Sequence, residues 1–270
     1  METQIVLFLV AIVATAINSI AGGGGLLTFP ILMTVLPPVT ADTTSAVALL
    51  PAYMTSTWAG RKHLAPVRHW FWLLLGPSLL GSLLGALLLN WSGNRSFTDL
   101  MPWLILTATL LTLRPLLTRA GSSGQSLSAA VPVATTSPLS VTTKAGADVL
   151  LFVVAIYGGY FGAGIGILVI ATLDLIGLSD IHSILPLKNA LCGSLRAVAV
   201  AVFLAQGKVS WEYGLIMAAG ALIGGYVGGS AVHRVNRTLV RIGIVALGFA
   251  MAAYYFWRIY GAEILLIGGD

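Results

Sequence analysis

Long apolar runs separated by short polar or basic loops make up this chain. Between Thr3 and Ala41 no charged side chain occurs, over about twice the roughly 20 residues that a helix needs to cross a bilayer. Further runs with few or no charges cover residues 43–60, 70–91, 102–117, 149–173, 185–204, 213–232 and 242–257. The pattern predicts an all-α integral membrane protein, a polytopic helical bundle of about eight spans.

Two of the apolar runs are interrupted by clustered glycines. The first has four in succession (residues 22–25), and the second reads Gly-Gly-Tyr-Phe-Gly-Ala-Gly-Ile-Gly over residues 158–166. Each glycine costs roughly 1 kcal/mol against alanine in a helix interior, so these clusters predict helix breaks. Broken backbone persists in a membrane only where protein buries it or where it lines a cavity, and the amides it frees can face a ligand. Close packing of helices through small residues is the alternative explanation.

Prolines suggest where two of the helices begin and end. The segment 26–36 is too short to cross a bilayer at about 1.5 Å per residue, and Pro37-Pro38 follows it. It is expected to be a half-helix, and a re-entrant path is left open. The run 185–204 is expected to begin at Leu185, with Pro186 in its first turn.

The two halves of the chain present the same features in the same order. A glycine break comes first in each half, and Gly81 and Gly85 of the first half align with Gly224 and Gly228 of the second. We therefore predict two four-span repeats, each with a glycine-broken helix, in a parallel or an inverted relation. The predicted domains are a first transmembrane repeat (1–118), a flexible linker (119–147), a second transmembrane repeat (148–260) and a tail (261–270).

Composition agrees with the apolar pattern and argues against several kinds of binding site. Hydrophobic residues make up 57% of the chain and charged ones 9%, against about 25% charged residues in soluble domains. The net charge is +5, but Lys and Arg lie mostly between apolar runs, so membrane topology and anionic lipid explain them, and no nucleic acid partner is expected. The single cysteine, Cys192, excludes an intrachain disulfide, the four histidines lack metal-ligand spacing, and no P-loop occurs. We expect a multipass protein of the cell membrane, plasma or inner, without cofactor, metal or enzymatic activity.

The predicted span 185–204 contains two cations, Lys188 and Arg196. They are eight residues apart, so they lie about 12 Å apart on roughly one helix face. Each costs at least about 2.5 kcal/mol to place in a bilayer, and a functional role is the default explanation of such a residue. The alternatives are that Lys188 snorkels to the headgroups and that Arg196 forms a structural ion pair with Asp174.

Four stretches of this sequence resemble one family of permeases. They are Ala21-Gly22-Gly23-Gly24-Gly25-Leu26-Leu27, Gly159-Tyr160-Phe161-Gly162-Ala163-Gly164, Lys188-Asn189 and Gly207-Lys208-Val209-Ser210-Trp211. In this order they are similar to the TauE/SafE (sulfite exporter) family, over nearly the whole chain except the linker. The resemblance implies a multipass permease for sulfur-containing anions such as sulfite, sulfonates or thiosulfate. One departure is Asp42-Thr43-Thr44-Ser45, where many relatives have Asn-x-Thr-Ser, and it leaves open a different substrate or coupling ion.

These observations combine into a binding hypothesis, in which a small anion sits near mid-membrane between the two glycine breaks and the protein works by alternating access. Half-helix N-termini and bare amides would supply partial positive charge, and Lys188 or Arg196 a full one. The candidate substrate-binding residues are Gly22, Gly23, Gly24, Gly25, Thr43, Thr44, Ser45, Gly162, Gly164, Lys188, Asn189 and Arg196. The expected partners are a small anionic substrate and the lipid bilayer, and a proton as coupling ion and a homodimer are left open. An anion channel and a non-catalytic membrane subunit are the alternative functions.

The basic loops also predict an orientation. If eight helices cross and the glycine breaks add no crossing, the cations near Arg61, Lys62 and Arg68 lie on the same side as the N-terminus. The excess of positive charge on that side then predicts that both termini are cytoplasmic.

Overall fold

The computed structural model describes residues 2–120, 141–178, 180–231 and 237–267, and within these ranges every regular element is helical. The helices are α1 (Glu2–Ala21), α2 (Gly25–Leu32), α3 (Pro38–Ala59), α4 (Arg61–Leu64), a 3-10 turn (Ala65–Val67), α5 (Arg68–Ala120), α6 (Val141–Tyr160), α7 (Ile165–Leu175), α8 (Ile181–Ala205), α9 (Trp211–Ala231) and α10 (Arg237–Ile267). By length and composition, five helical segments of the described residues could cross a membrane: Glu2–Ala21, Arg61–Leu110, His182–Ala205, Trp211–Ala231 and Thr238–Tyr260. The chain is therefore a helical multipass membrane protein, while the count of eight spans and the duplication stay predictions. Most of the predicted linker, residues 121–140, lies outside the described residues.

Several helix boundaries differ from those expected. Gly93, with φ 67° and ψ 177°, divides α5 into two helices (residues 68–92 and 94–120), so the second begins well before the predicted residue 102. The half-helix α2 ends at Leu32, and Pro38 stands in the first turn of α3. Helix α8 begins at Ile181, because the Asp180 carboxylate accepts hydrogen bonds from the amides of His182 and Ser183 (3.1 and 3.2 Å). Pro186 consequently lies inside α8, one turn beyond the expected position.

Glycine stripes fix the packing of the long helices. On α9, a Cβ added to Gly220 would lie 2.5 Å from the Phe8 carbonyl oxygen, and one on Gly228 the same distance from that of Ala16. On the other side of α9, a Cβ on Gly229 would lie 2.9 Å from the Ser56 Cα. Helices α1, α3 and α9 therefore run parallel with their backbones close together, as small residues permit in membranes. The first part of α5 meets α6 in the same way through Gly81 and Gly85.

Hydrogen bonds show which helix ends share one end of the bundle, here called the N-terminal end. The start of α1 meets the start of α9 (Gln4 to Glu212, 3.4 Å), and the start of α3 meets the turn at Gly93 (Val39 amide to Asn94 Oδ1, 3.2 Å). The α8–α9 loop joins the first part of α5 there (Lys208 Nζ to Asn90 Oδ1, 2.7 Å), and Tyr260 near the end of α10 donates to the Asp99 carbonyl (2.8 Å).

The opposite end, here called the basic end, gathers the end of α3, α4 and the start of α8. A Cβ on Gly60 would lie 2.8 Å from Pro186, and the rings of His63 and His182 are 5.7 Å apart. Helix α6 starts at this end because it runs parallel to the first part of α5. The segment α1–α2 thus enters from the N-terminal end and returns to it, whereas α6–α7 enters from the basic end and returns there. The two broken segments have opposite directions, which is the relation that inverted repeats require.

This path corrects the grouping of the basic loops. Arg61, Lys62 and Arg68 follow α3, and α3 begins at the N-terminal end, so they lie at the end opposite to the start of α1. The expectation that they share a side with the N-terminus is wrong, because each glycine break returns the chain to the end from which it came.

Candidate functional site

The two glycine breaks cross each other with their backbones in contact. Gly22 (φ 79°) and Gly162 (φ 69°) have positive φ, which glycine adopts without strain. A Cβ on Gly22 would lie 2.8 Å from the Ile167 amide nitrogen, and a Cβ on Gly25 would lie 3.0 Å from the Ala163 Cα. The glycines therefore break the helices and also allow the two breaks to pack against each other, while their role in binding a ligand stays a prediction.

The other predicted glycines have different neighbours. Gly24 packs inside its own segment, where an added Cβ would lie 2.6 Å from the Asn18 Cβ. Gly23 faces the Ile244 side chain of α10 at 3.2 Å, and Gly164 faces the Ala108 Cβ in the second part of α5 at 3.1 Å. The crossing itself is thus formed chiefly by Gly22, Gly25, Ala163 and Gly166.

Lys188 binds the end of α1. Its side chain is fully buried, and its Nζ donates to the carbonyl oxygens of Asn18 (2.7 Å) and Ser19 (3.5 Å). These carbonyls belong to the last turn of α1, where the helix dipole is negative, and the Asn18 carbonyl also accepts from the Gly22 amide (3.0 Å). The alternative of snorkelling to the headgroups is wrong for Lys188, because its ammonium points into the protein.

Arg196 binds the C-terminal end of α6, as Lys188 binds that of α1. Its Nη1 and Nη2 donate to the carbonyl oxygens of Gly158 (3.1 Å) and Phe161 (3.4 Å), and its guanidinium fills the space that a side chain at Gly162 would need. Both buried cations of α8 therefore hold the C-terminal end of a broken helix. The buried Nε of Arg196 has no hydrogen-bond partner among the described residues. Asp174 is exposed on α7 while Arg196 is buried, so the structure corrects the suggested ion pair between them.

The hydroxyl groups at the start of α3 connect helices to one another. Thr43 donates to the Lys208 carbonyl, and the Thr44 hydroxyl accepts from the Ser210 amide at 3.0 Å. The hydroxyls of Ser45 and Thr28 are 2.6 Å apart. These bonds tie α3 to the α8–α9 loop and to α2, and a role of Thr43, Thr44 and Ser45 in substrate binding stays a prediction.

Asn189 lies away from the crossing, although it follows Lys188 directly. It faces a cavity of about 270 Å³ at the basic end, between α3, α4, α8 and α9. Asn189 is 2% exposed, and its buried Oδ1 has no partner among the described residues. Successive residues of a helix point about 100° apart, so one helix serves the crossing with Lys188 and the cavity with Asn189.

Sequence reasoning missed three polar side chains near the breaks. The Asn18 Oδ1 accepts from the Gly24 amide (3.3 Å), and the Tyr157 hydroxyl donates to the Ala163 carbonyl (2.7 Å), so one side chain bridges each break. The third is Asp42, which the sequence marks only as a departure from the Asn-x-Thr-Ser pattern. It is 1% exposed, and its Oδ2 has no partner among the described residues. A polar residue within an apolar run is the signal that could have found Asn18 and Tyr157.

Aromatic rings close the second break on its α2 side. The Phe29 ring of α2 meets Phe161 edge to face at 5.2 Å and Phe97 at 6.1 Å. These buried rings leave α2 little freedom to move independently of the second break. Within the described ranges, no group of three or more His, Cys, Asp or Glu side chains could hold a metal ion.

Comparisons with known proteins match most of the chain. Residues 7–255 fit the family model described as "Sulfite exporter TauE/SafE". A "Probable membrane transporter protein" of Haemophilus influenzae is 32% identical over 251 residues, covering 92% of each chain. The "Probable membrane transporter protein YfcA" of Escherichia coli K12 is 29% identical over 266 residues, covering 96% of this chain and 92% of the relative. No solved structure matches.

Proposed function

Because this chain belongs to the sulfite exporter TauE/SafE family, we propose that it is a secondary transporter of a small sulfur-containing anion, of the sulfite, organosulfonate or thiosulfate class. The observation that carries the proposal is the crossing of two glycine-broken segments that enter the bundle from opposite ends, with two buried cations beside it. Such breaks near mid-membrane are typical of secondary transporters, in which the two halves move around a shared site.

Charge around the crossing favours an anion. Lys188 and Arg196 each face a helix C-terminus worth about −0.5 charge, which leaves about +0.5 for each cation. The N-termini of α2 and α7 add about +0.5 each, and they lie together because Gly25 packs on Ala163. The sum is about +2 before Asp42 is considered. Among the described side chains, the Arg196 Nε–H is an open donor that an oxyanion could meet there.

The closed packing of the crossing supports a transporter over a channel. The backbones of Gly22 and Gly166 are in contact in this conformation, with 3.0 Å between the Gly22 Cα and the position of a Cβ at Gly166. A channel needs a continuous pore, whereas alternating access needs a closed centre and a vestibule. We propose that the Asn189 cavity is the vestibule on the basic side.

Counterflow in proteoliposomes tests the function. The purified protein is offered labelled sulfite, thiosulfate, sulfoacetate, taurine, sulfate and chloride against the same unlabelled anion inside. We expect exchange of at least one sulfur-containing anion and no chloride conductance. Absence of exchange for every sulfur-containing anion would contradict the proposal, and chloride current without exchange would favour the channel.

Orientation follows from the path of the chain. The basic end holds Arg61, Lys62, Arg68, Arg114, Arg119, Lys144, Arg237 and Arg241, and the N-terminal end holds Arg95, Lys208 and Arg258. Within the part of the chain that the structure describes, eight cations against three support a cytoplasmic basic end. We propose that the start of α1 and the end of α10 face the outside.

Cysteine labelling in intact cells checks this orientation. In a Cys192→Ser background, which removes the single native cysteine, a cysteine at exposed Thr3 should react with an impermeant maleimide from outside. A cysteine at exposed Lys62 should react only after the cells are permeabilised. The reverse pattern would show that the basic end faces outward.

A further inference from the structure

Asp42 is a buried carboxyl group that the proposed anion site does not use. It stands in the second turn of α3, is 1% exposed, and its Oδ2 has no hydrogen-bond partner among the described residues. An ionised carboxylate is costly in such a place unless a cation or several donors surround it. Intramembrane carboxyl groups of this kind commonly carry protons in transporters.

Two polar groups beside the second break, one on α8 and one on α6, interact electrostatically with Asp42. Arg196 is close enough for its charge to act on Asp42, and the Tyr157 hydroxyl is also within its electrostatic reach. The terminal nitrogens of Arg196 donate to the carbonyls of Gly158 and Phe161, and the structure shows no hydrogen bond from them to Asp42. Asp42 therefore senses the charge of Arg196 without being paired to it.

Three other charged groups on elements that contact α3 have partners elsewhere. Helix α3 packs against α1, α2, α4, α5, α8 and α9. On α8, Lys188 binds the end of α1, and on α9, Glu212 meets Gln4 at the surface. In the α8–α9 loop, Lys208 binds Asn90. Arg196 is thus the cation that couples to Asp42.

We propose that Asp42 is the proton-binding group of the transport cycle and that a proton on Asp42 and an anion beside Arg196 favour each other's binding. This inference rests on the proposed function. An ionised Asp42 offsets about half of the positive charge at the crossing, so it competes with the anion. A protonated Asp42 leaves that charge to the anion, and by reciprocity the bound anion strengthens proton binding.

The cycle balances with one proton. The carboxylate takes a proton from the water on one side, the anion binds, both cross in the same direction, and the proton leaves to the water on the other side. Protonation of Asp42 can affect neighbouring elements through the residues that follow it. Thr43 and Thr44 bond to the loop before α9, and Ser45 bonds to α2. Proton binding would therefore act on helices of both halves.

Transport driven by a pH gradient tests the inference. The probe is whichever of thiosulfate or sulfoacetate wild type exchanges, because both anions stay fully ionised near neutral pH and contribute no titration of their own. We expect an inward proton gradient to drive accumulation by wild type and Asp42→Glu, but not by Asp42→Asn, which should still exchange. Asp174→Asn is the matched control, since it removes an exposed carboxylate of the same type, and it should behave like wild type.

Anion binding at varied pH gives a second measurement. For wild type, the apparent Kd should rise by up to about tenfold per pH unit above the range where Asp42 holds its proton, as one linked proton requires. For Asp42→Asn the Kd should not change with pH. If this variant is not recovered folded, a pH-independent wild-type Kd for thiosulfate still overturns the inference. Gradient-driven accumulation by Asp42→Asn would also overturn it, whereas a wild type that exchanges no anion would instead remove the proposed function on which it rests.

Discussion

Replacing Gly22 with alanine should abolish transport and destabilise the protein by about 2–5 kcal/mol. The positive φ of 79° costs an alanine about 1–2 kcal/mol. The added Cβ would also lie 2.8 Å from the Ile167 amide nitrogen, and backbone cannot move aside as a flexible side chain can, so overpacking adds about 1–3 kcal/mol. The two breaks would be forced apart at the point around which the halves are proposed to move. Thermal unfolding in detergent and counterflow measure the two effects.

Gly177→Ala is the matched control for this substitution. Gly177 has a φ of 86°, but an added Cβ would meet nothing within 4 Å. Gly177→Ala should lose only the stability that backbone strain costs, about 1–2 kcal/mol, and it should still transport. Equal losses in both variants would mean that the contact between the breaks is unimportant.

Replacing Arg196 with glutamine should abolish transport and lower stability by roughly 3–5 kcal/mol. The carbonyls of Gly158 and Phe161 would lose their donors, and Asp42 would lose the cation whose charge acts on it. Arg196→Lys should recover only part of the loss, because a single ammonium cannot reproduce a forked donor. Thermal unfolding with and without the transported anion measures both roles. Substrate should raise the Tm of wild type and leave that of Arg196→Gln unchanged.

The double variant Arg196→Gln with Asp42→Asn separates the charge from the hydrogen bonds. Part of the stability should return, because the second substitution removes the carboxylate that was left without a nearby cation. Transport should stay lost, because no cation would remain beside the anion. An Arg196→Gln protein that transports at the wild-type rate and affinity would show that Arg196 does not bind the anion.

Local features of the sequence were enough to predict the two helix breaks and the burial of the two cations. Four successive glycines disfavour a helix by roughly 1 kcal/mol each, and α1 ends at Ala21 as this cost favours. The cost of burying Lys188 and Arg196 made a specific partner necessary, and both side chains have one. Candidate site residues were less predictable, because Thr43 and Thr44 bond to a loop more than 160 residues away.

The sequence by itself determined that this is a helical membrane protein with two broken segments and two buried cations, because composition and propensity act locally. Only the tertiary structure decided that the partners of the cations are helix ends, at separations of 170 residues for Lys188 with Asn18 and 38 for Arg196 with Gly158. It also decided that Asn189 faces a cavity while Lys188 faces the crossing, and that the basic loops lie opposite the start of α1. Each of these depends on the direction in which a half-helix leaves a glycine break. Glycine permits several directions at nearly equal energy, so the packing of the whole bundle selects one.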